Sequence, residues 1–268
     1  MHEPRPTRAV ATMVGTTPHT YEWARATNGS LSSAEKKEVK AGIRAGYLAI
    51  ARGLATWPVR RAPRSGVLPS APDSRLAKEA EEAAKEQGPA LAFHGYRTWV
   101  LGSALADFDG ATLDDELFFA TSLLHDSGMM REVVGQDFTI RSGERLIAVA
   151  ARAGSNESVG LALADSAVAH ASPGLKPSDD LVGFYVQSGA MADLAGLHMW
   201  HLPRGLLKKT YGSYPAHGVH HEIPPLIRRE AQLVPDGRFA LLKKNGMDLM
   251  VSFSPTRRYA GRLGGGSR

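Results

Sequence analysis

Apolar residues recur at intervals of three and four along most of this chain, a spacing that predicts helices rather than strands. The pattern first settles at Val39, Ile43, Tyr47, Ile50 and Leu54, behind a capping box formed by Ser32 and Glu35. Residues 1–30 show no period and are expected to form an irregular extension. Thr56 to Asp73 holds Pro58, Pro63, Pro69 and Pro72, so it reads as a linker or long loop. Helices are then expected at Arg75–Gln87 and Ala90–Phe108, and from Thr112–Asp115 onward to His125-Asp126, where Gly128 breaks the run. Gly135–Thr139 reads as a loop, followed by helices at Ser142–Ala153 and Ser158–Ala171. Ser178-Asp179-Asp180 caps another helix that ends at Gly196. Beyond Leu202, two or three shorter helices are expected, broken at Pro203, Pro215, Pro224-Pro225 and Pro235. No internal repeat is visible. The architecture predicted is an all-α array of packed helices. An extension with one helix and a linker (1–73) precedes a main domain (74–263) and a Gly-rich tail (264–268).

Composition narrows the class. With 43% apolar and 22% charged residues in 268, the chain suits a soluble globular protein with a full core. It has no cysteine, which excludes disulfides and thiolate metal sites, so any metal here must use His, Asp, Glu and water. The net charge is +5, and much of the excess sits at Arg52, Arg60, Arg61 and Arg64 and at Arg257, Arg258, Arg262 and Arg268. No basic helix face or RNA-binding signature accompanies these groups, so a solvated basic surface is favoured over nucleic-acid binding. No apolar run is long enough for a membrane span, and the first residues do not read as a signal peptide, which makes cytoplasmic residence the default expectation.

Against that background the pair His125-Asp126, at the end of an apolar helical stretch, offers one nitrogen and one oxygen ligand to a divalent metal. Alone the pair is weak, since most such dipeptides lie at surfaces or caps. Its company raises the odds: His94, His170 and Asp193 each sit on an apolar stretch of their own. Other polar residues carry plainer readings. Arg97 shares a helix face with His94 and either holds an anion or pairs with a buried acid. Asp165 either orients a partner or is solvated. His217, His220 and His221, followed by Glu222, have the spacing of a second metal cluster but lie among prolines and read mainly as loop residues; His198, His201, Trp99 and Trp200 read as packing residues. Neither a Gly-rich phosphate loop nor a Gly-x-Ser-x-Gly elbow is present.

In order and separation, Leu91–Thr98, Leu123–Gly128, Ala167–His170 and Gly189–Gly196 resemble the HD-domain superfamily of metal-dependent phosphohydrolases, closest to its cyanamide hydratase-like branch. Asp137–Gly143 resembles that branch's acid-Phe element, and the likeness covers about residues 88 to 240. The resemblance implies an HD-type helical domain with one divalent ion on His94, His125, Asp126 and Asp193. Zinc or ferrous iron suits that ligand set best, with manganese and magnesium as alternatives. It further implies catalytic roles for Asp126 and His170 and substrate contacts from Arg97 and Phe138. Two departures bear on the reaction. Met129 stands where nucleotide-cleaving members carry Lys, and no His lies between Asp126 and His170 to build a second metal position. The expected activity is a hydrolase or hydratase that uses metal-activated water on a small-molecule substrate. A phosphomonoesterase or nucleotide phosphohydrolase, and a non-catalytic metal- or ligand-binding protein, are the alternatives. A homo-oligomer stays open.

Overall fold

The structure, a computed structural model, describes residues 18–56, 66–216 and 218–260, and every regular element among them is helical. In chain order these are α1 (Tyr21–Thr27), α2 (Ser33–Thr56), α3 (Arg75–Lys85), α4 (Pro89–Asp109) and α5 (Asp115–Leu124). They continue with α6 (Phe138–Ala153), α7 (Glu157–Ala169), α8 (Leu181–Ala195), α9 (Arg204–Ser213) and α10 (Val219–Leu233). The chain closes with α11 (Arg238–Lys244), α12 (Met247–Ser252) and α13 (Arg257–Ala260). The all-α expectation therefore holds. Residues 1–17, the linker residues 57–65, His217 and the tail 264–268 lie outside the described residues.

Several helix starts obey side-chain capping. Ser32 and Glu35 form the reciprocal box at α2, the Glu35 carboxylate accepting from the Ser32 amide at 2.6 Å. Asp114 accepts from two amides of α5, and Asp180 accepts from Gly183 at the start of α8. Gly154 and Gly196 close α6 and α8 in the left-handed conformation.

Three boundaries differ from the sequence expectation. The region taken as irregular contains α1, whose Trp23 is buried and whose first amide, Tyr21, donates to Asp165 Oδ1 at 2.8 Å. Asp165 is thus neither solvated nor at the site; it anchors α1 to α7. Helix α6 begins at Phe138 rather than Ser142, because Asp137 accepts from Thr139 and acts as its N-cap. Finally, Pro224-Pro225 does not break the chain but lies inside α10. Buried Val219, Ile223, Ile227 and Ala231, four residues apart, bind that helix to the core, and their burial outweighs the two missing donors.

The fold's central contact is between α4 and α8. It is close because its residues are small: a Cβ at Gly189 would lie 2.2 Å from the Thr98 carbonyl, and one at Gly102 2.6 Å from the Tyr185 carbonyl. With the two backbones touching, side chains one or two turns away on α4 reach those of α8 directly. A second apolar cluster, around Tyr21, Trp23, Val39 and Ile43, docks α1 and α2 onto α6 and α7. Arg238 pins this junction. It is fully buried, donates to Asp137, Thr139, Ser172 and the Val168 carbonyl, and lies over the Trp23 ring.

Candidate metal centre

Three histidines reach one carboxylate from three helices. His94 lies on α4, while His125 and His170 are the C-cap residues of α5 and α7. A helix end leaves backbone carbonyls without partners. Here each histidine uses one: His125 Nδ1 bonds the Ser122 carbonyl at 2.8 Å, and His170 Nδ1 bonds the Ala167 carbonyl. His94 Nδ1 instead bonds Asp193 Oδ2 at 2.7 Å.

Carbonyls and carboxylates only accept, so all three Nδ1 atoms must donate. In the neutral rings that leaves a lone pair on every Nε2. These atoms face Asp126: His125 Nε2 stands 3.3 Å and His94 Nε2 3.6 Å from its Oδ2, and His170 Nε2 3.5 Å from its Oδ1. Lone pairs facing a carboxylate repel unless a cation or a proton lies between them. The Nε2 atoms of His94 and His125 are buried and have no hydrogen-bond partner among the described residues. One ligand atom from each of His94, His125 and Asp126 falls within 4.8 Å of the others, so these three buried residues can hold a metal ion. The donor set of two imidazoles and a carboxylate suits a borderline divalent cation.

Burial lowers the pKa of His94 and of His170 despite neighbouring carboxylates. At His125 burial acts the same way, but the adjacent Asp126 carboxylate outweighs it and raises the value. Burial also works against ionisation of Asp126, yet His125 and His170 hold it well below the usual carboxylate range.

Asp193 lies behind this group rather than in it. The resemblance made it a ligand, but both of its oxygens are engaged: Oδ2 by His94, and Oδ1 by Arg97 Nε at 2.8 Å and the Tyr211 hydroxyl at 2.9 Å. This is the outer carboxylate that fixes a ligating imidazole in its tautomer. Burial opposes its charge, while Arg97 and His94 hold its pKa far below normal. Arg97 does not reach substrate space. It is fully buried, and its Nη1 donates to the carbonyls of Tyr214 and Pro215 while its Nε pairs with Asp193, which favours the buried acid among its alternatives. Phe138 packs its ring 6.1 Å from that of His170 and 4.8 Å from that of Phe239, so it supports His170 from behind. His220 and His221 lie in α10 rather than in a loop, and His220 shares a hydrogen bond with Thr256 in the packed interior.

Asp126, His125 and His170 open onto a cavity of about 170 Å³. Its walls come from α2, α8 and α10 to α12, and among the described residues no Lys or Arg lines it. Two features had no sequence signal. Tyr211 lies on α9 without any motif around it, and Gln187 steadies the turn after α7 by donating to the His170 and Ser172 carbonyls. Compared with protein-family models and with curated proteins, the chain matches none.

Proposed function

We propose that this chain is a metal-dependent hydrolase or hydratase that adds water to a small, uncharged electrophile. The observation that carries the reading is the convergence of three Nε2 lone pairs on one buried carboxylate beside a cavity. His94, His125 and Asp126 would hold the ion, and zinc or ferrous iron suits them best. When bound, a divalent cation acidifies water and polarises an electrophilic carbon.

The protein's own groups do the rest. Asp126 Oδ1, turned toward His170, accepts a hydrogen bond from the attacking water and orients it. His170, with its Nδ1–H committed to Ala167, offers its Nε2 lone pair as the base. As the new C–O bond forms, electrons move from the carbon's multiple bond onto the heteroatom, which takes the proton back from His170. Asp193, Arg97 and Tyr211 keep His94 aimed throughout. The likeness to the cyanamide hydratase-like branch of HD-domain proteins supports the same chemistry. Phosphate esters are the less favoured substrates, because among the described residues no Lys or Arg lines the cavity to meet a dianion.

The test is elemental analysis of purified wild type beside His125→Ala, Asp126→Ala and His170→Ala, followed by a screen of nitriles against phosphate esters. One ion per chain is expected, lost in the first two variants and kept in His170→Ala, whose turnover falls by about 100-fold or more. A wild-type chain that takes up no zinc, iron or manganese overturns the reading.

A further inference from the structure

The cavity's titratable groups near the candidate metal site are Asp126, His125 and His170, and most of its other lining residues are apolar. The apolar lining includes Ile43 and Ile50 of α2, Met191 and Leu194 of α8, and Met247 and Met250 of α12. Among the described residues, the two other polar side chains that line the space have their donors engaged. The Tyr47 hydroxyl donates to the Asn245 carbonyl, and the Gln187 amide donates to the His170 and Ser172 carbonyls. A ligand with a charged or strongly polar far end would exchange water for a wall made mostly of methionine, leucine and isoleucine, with no charged side chain among the described residues to meet it.

The volume matters as well. At about 170 Å³ the space far exceeds what water, cyanamide or a two-carbon nitrile fills. An apolar protein cavity of about 150 Å³ holds a benzene ring. Four lining methionines, Met129, Met191, Met247 and Met250, supply flexible, polarizable walls that adapt to an irregular apolar shape.

From this we infer that the substrate carries a compact hydrophobic body of ring size, uncharged at its far end, with its reactive group held at Asp126 and His170. The inference rests on the hydrating function proposed above and assigns its substrate class. Helix α2 is the specificity wall. Its positions Gly42, Ile43, Gly46, Tyr47 and Ile50 share one face, and that face lines the cavity. Gly46 is the lining position of α2 at which a Cβ would meet nothing within 4 Å. A longer side chain at that position therefore enters free space without a backbone clash. Its size sets how large a body the cavity admits.

The test compares para-fluorobenzonitrile, which has body and reactive group, with fluoroacetonitrile, which has the reactive group alone. Binding is followed by fluorine NMR on full-length wild type, Gly46→Leu and, from the α8 lining, Ala190→Leu. Wild type is expected to bind the aromatic nitrile about tenfold more tightly or better, the least that six well-buried carbons contribute. Gly46→Leu is expected to lose that preference while its melting temperature and metal content stay at wild-type values. Ala190→Leu is expected to do the same if it folds. Equal binding of the two nitriles to wild type overturns the inference, as does full aromatic preference in a folded Gly46→Leu protein. Metal content measured on the same samples separates the two failures. An aromatic preference without bound metal removes the catalytic reading and leaves the hydrophobic subsite; bound metal without the preference does the reverse.

Discussion

Replacing Asp193 by Asn separates two roles that both put a carboxylate near His94. The wild-type side chain is fully buried and accepts from His94, Arg97 and Tyr211 at 2.7, 2.8 and 2.9 Å. An asparagine of the same shape keeps one acceptor and turns the other into a donor. If its oxygen serves His94, its NH₂ points at two donors; if it serves Arg97 and Tyr211, the His94 tautomer is lost. Either way the Arg97 guanidinium becomes a buried charge without a counter-ion, which costs about 3–5 kcal/mol. At roughly 2–4 °C per kcal/mol for a domain of this size, the melting temperature should fall by about 6–20 °C. Tyr211→Phe removes one bond to the same carboxylate and should cost less, about 1.5–3 kcal/mol. As an outer carboxylate, Asp193 governs metal affinity indirectly, so Asp193→Asn should bind about 10- to 100-fold more weakly yet still reach one ion per chain at saturation. Thermal unfolding by circular dichroism and a metal titration by calorimetry measure both. An unchanged melting temperature with metal binding abolished at any concentration would refute the argument and make Asp193 a ligand.

Two further outcomes follow from packing and capping. Gly189→Ala should lower the melting temperature and weaken metal binding together, because its Cβ would sit 2.2 Å from the Thr98 carbonyl; helix propensity alone favours Ala by up to about 1 kcal/mol, so a rise in stability would show that α4 and α8 do not meet as described. Glu35→Gln probes the α2 cap. Burial works against the Glu35 charge, but bonds from Ser32 and the Trp23 indole outweigh it and lower its pKa. A lowered folded-state value makes its stabilisation complete above the unfolded carboxyl pKa of about 4.3 and lost as pH falls through the folded value. The melting-temperature gap between wild type and Glu35→Gln should therefore be open at neutral pH and close in acid; a gap that is constant across the range would contradict the assigned cap.

Local chemistry was legible where a short stretch of chain contains its own partner. The Ser32–Glu35 box, the Asp114 and Asp180 caps and the Gly154 and Gly196 stops involve neighbours within a few residues, and each lies where the pattern put it. Helix α1 was hidden because seven residues are too few to hold a helix unaided. It is held by Asp165 and by the Arg238–Trp23 contact, which join residues 144 and 215 apart. The same distinction applies to the site. His94, His125 and Asp126 could be picked out by residue type and position, but the outward role of Asp193 depends on Tyr211, and the cavity wall depends on where α2 docks. Nothing near either residue in the chain announces that contact.

The placement of His125 and His170 at helix C-termini also explains why the centre favours a cation before any ligand charge is counted. The C-terminal end of a helix carries roughly half a negative charge, spread over its unpaired carbonyls. Two such ends, those of α5 and α7, meet at Asp126. Each histidine draws one carbonyl into a bond through Nδ1, so the same contact caps the helix and turns Nε2 toward the carboxylate. An ion pair buried without such support would lose more in desolvation than it gains. Here the dipoles, the carboxylate and the fixed tautomers all favour positive charge at one point. The Arg97–Asp193 pair is neutral in sum, and its carboxylate is the member bonded to His94. The fold thus directs two helix ends it must cap in any case toward one carboxylate, and that carboxylate with two imidazoles could hold a metal ion.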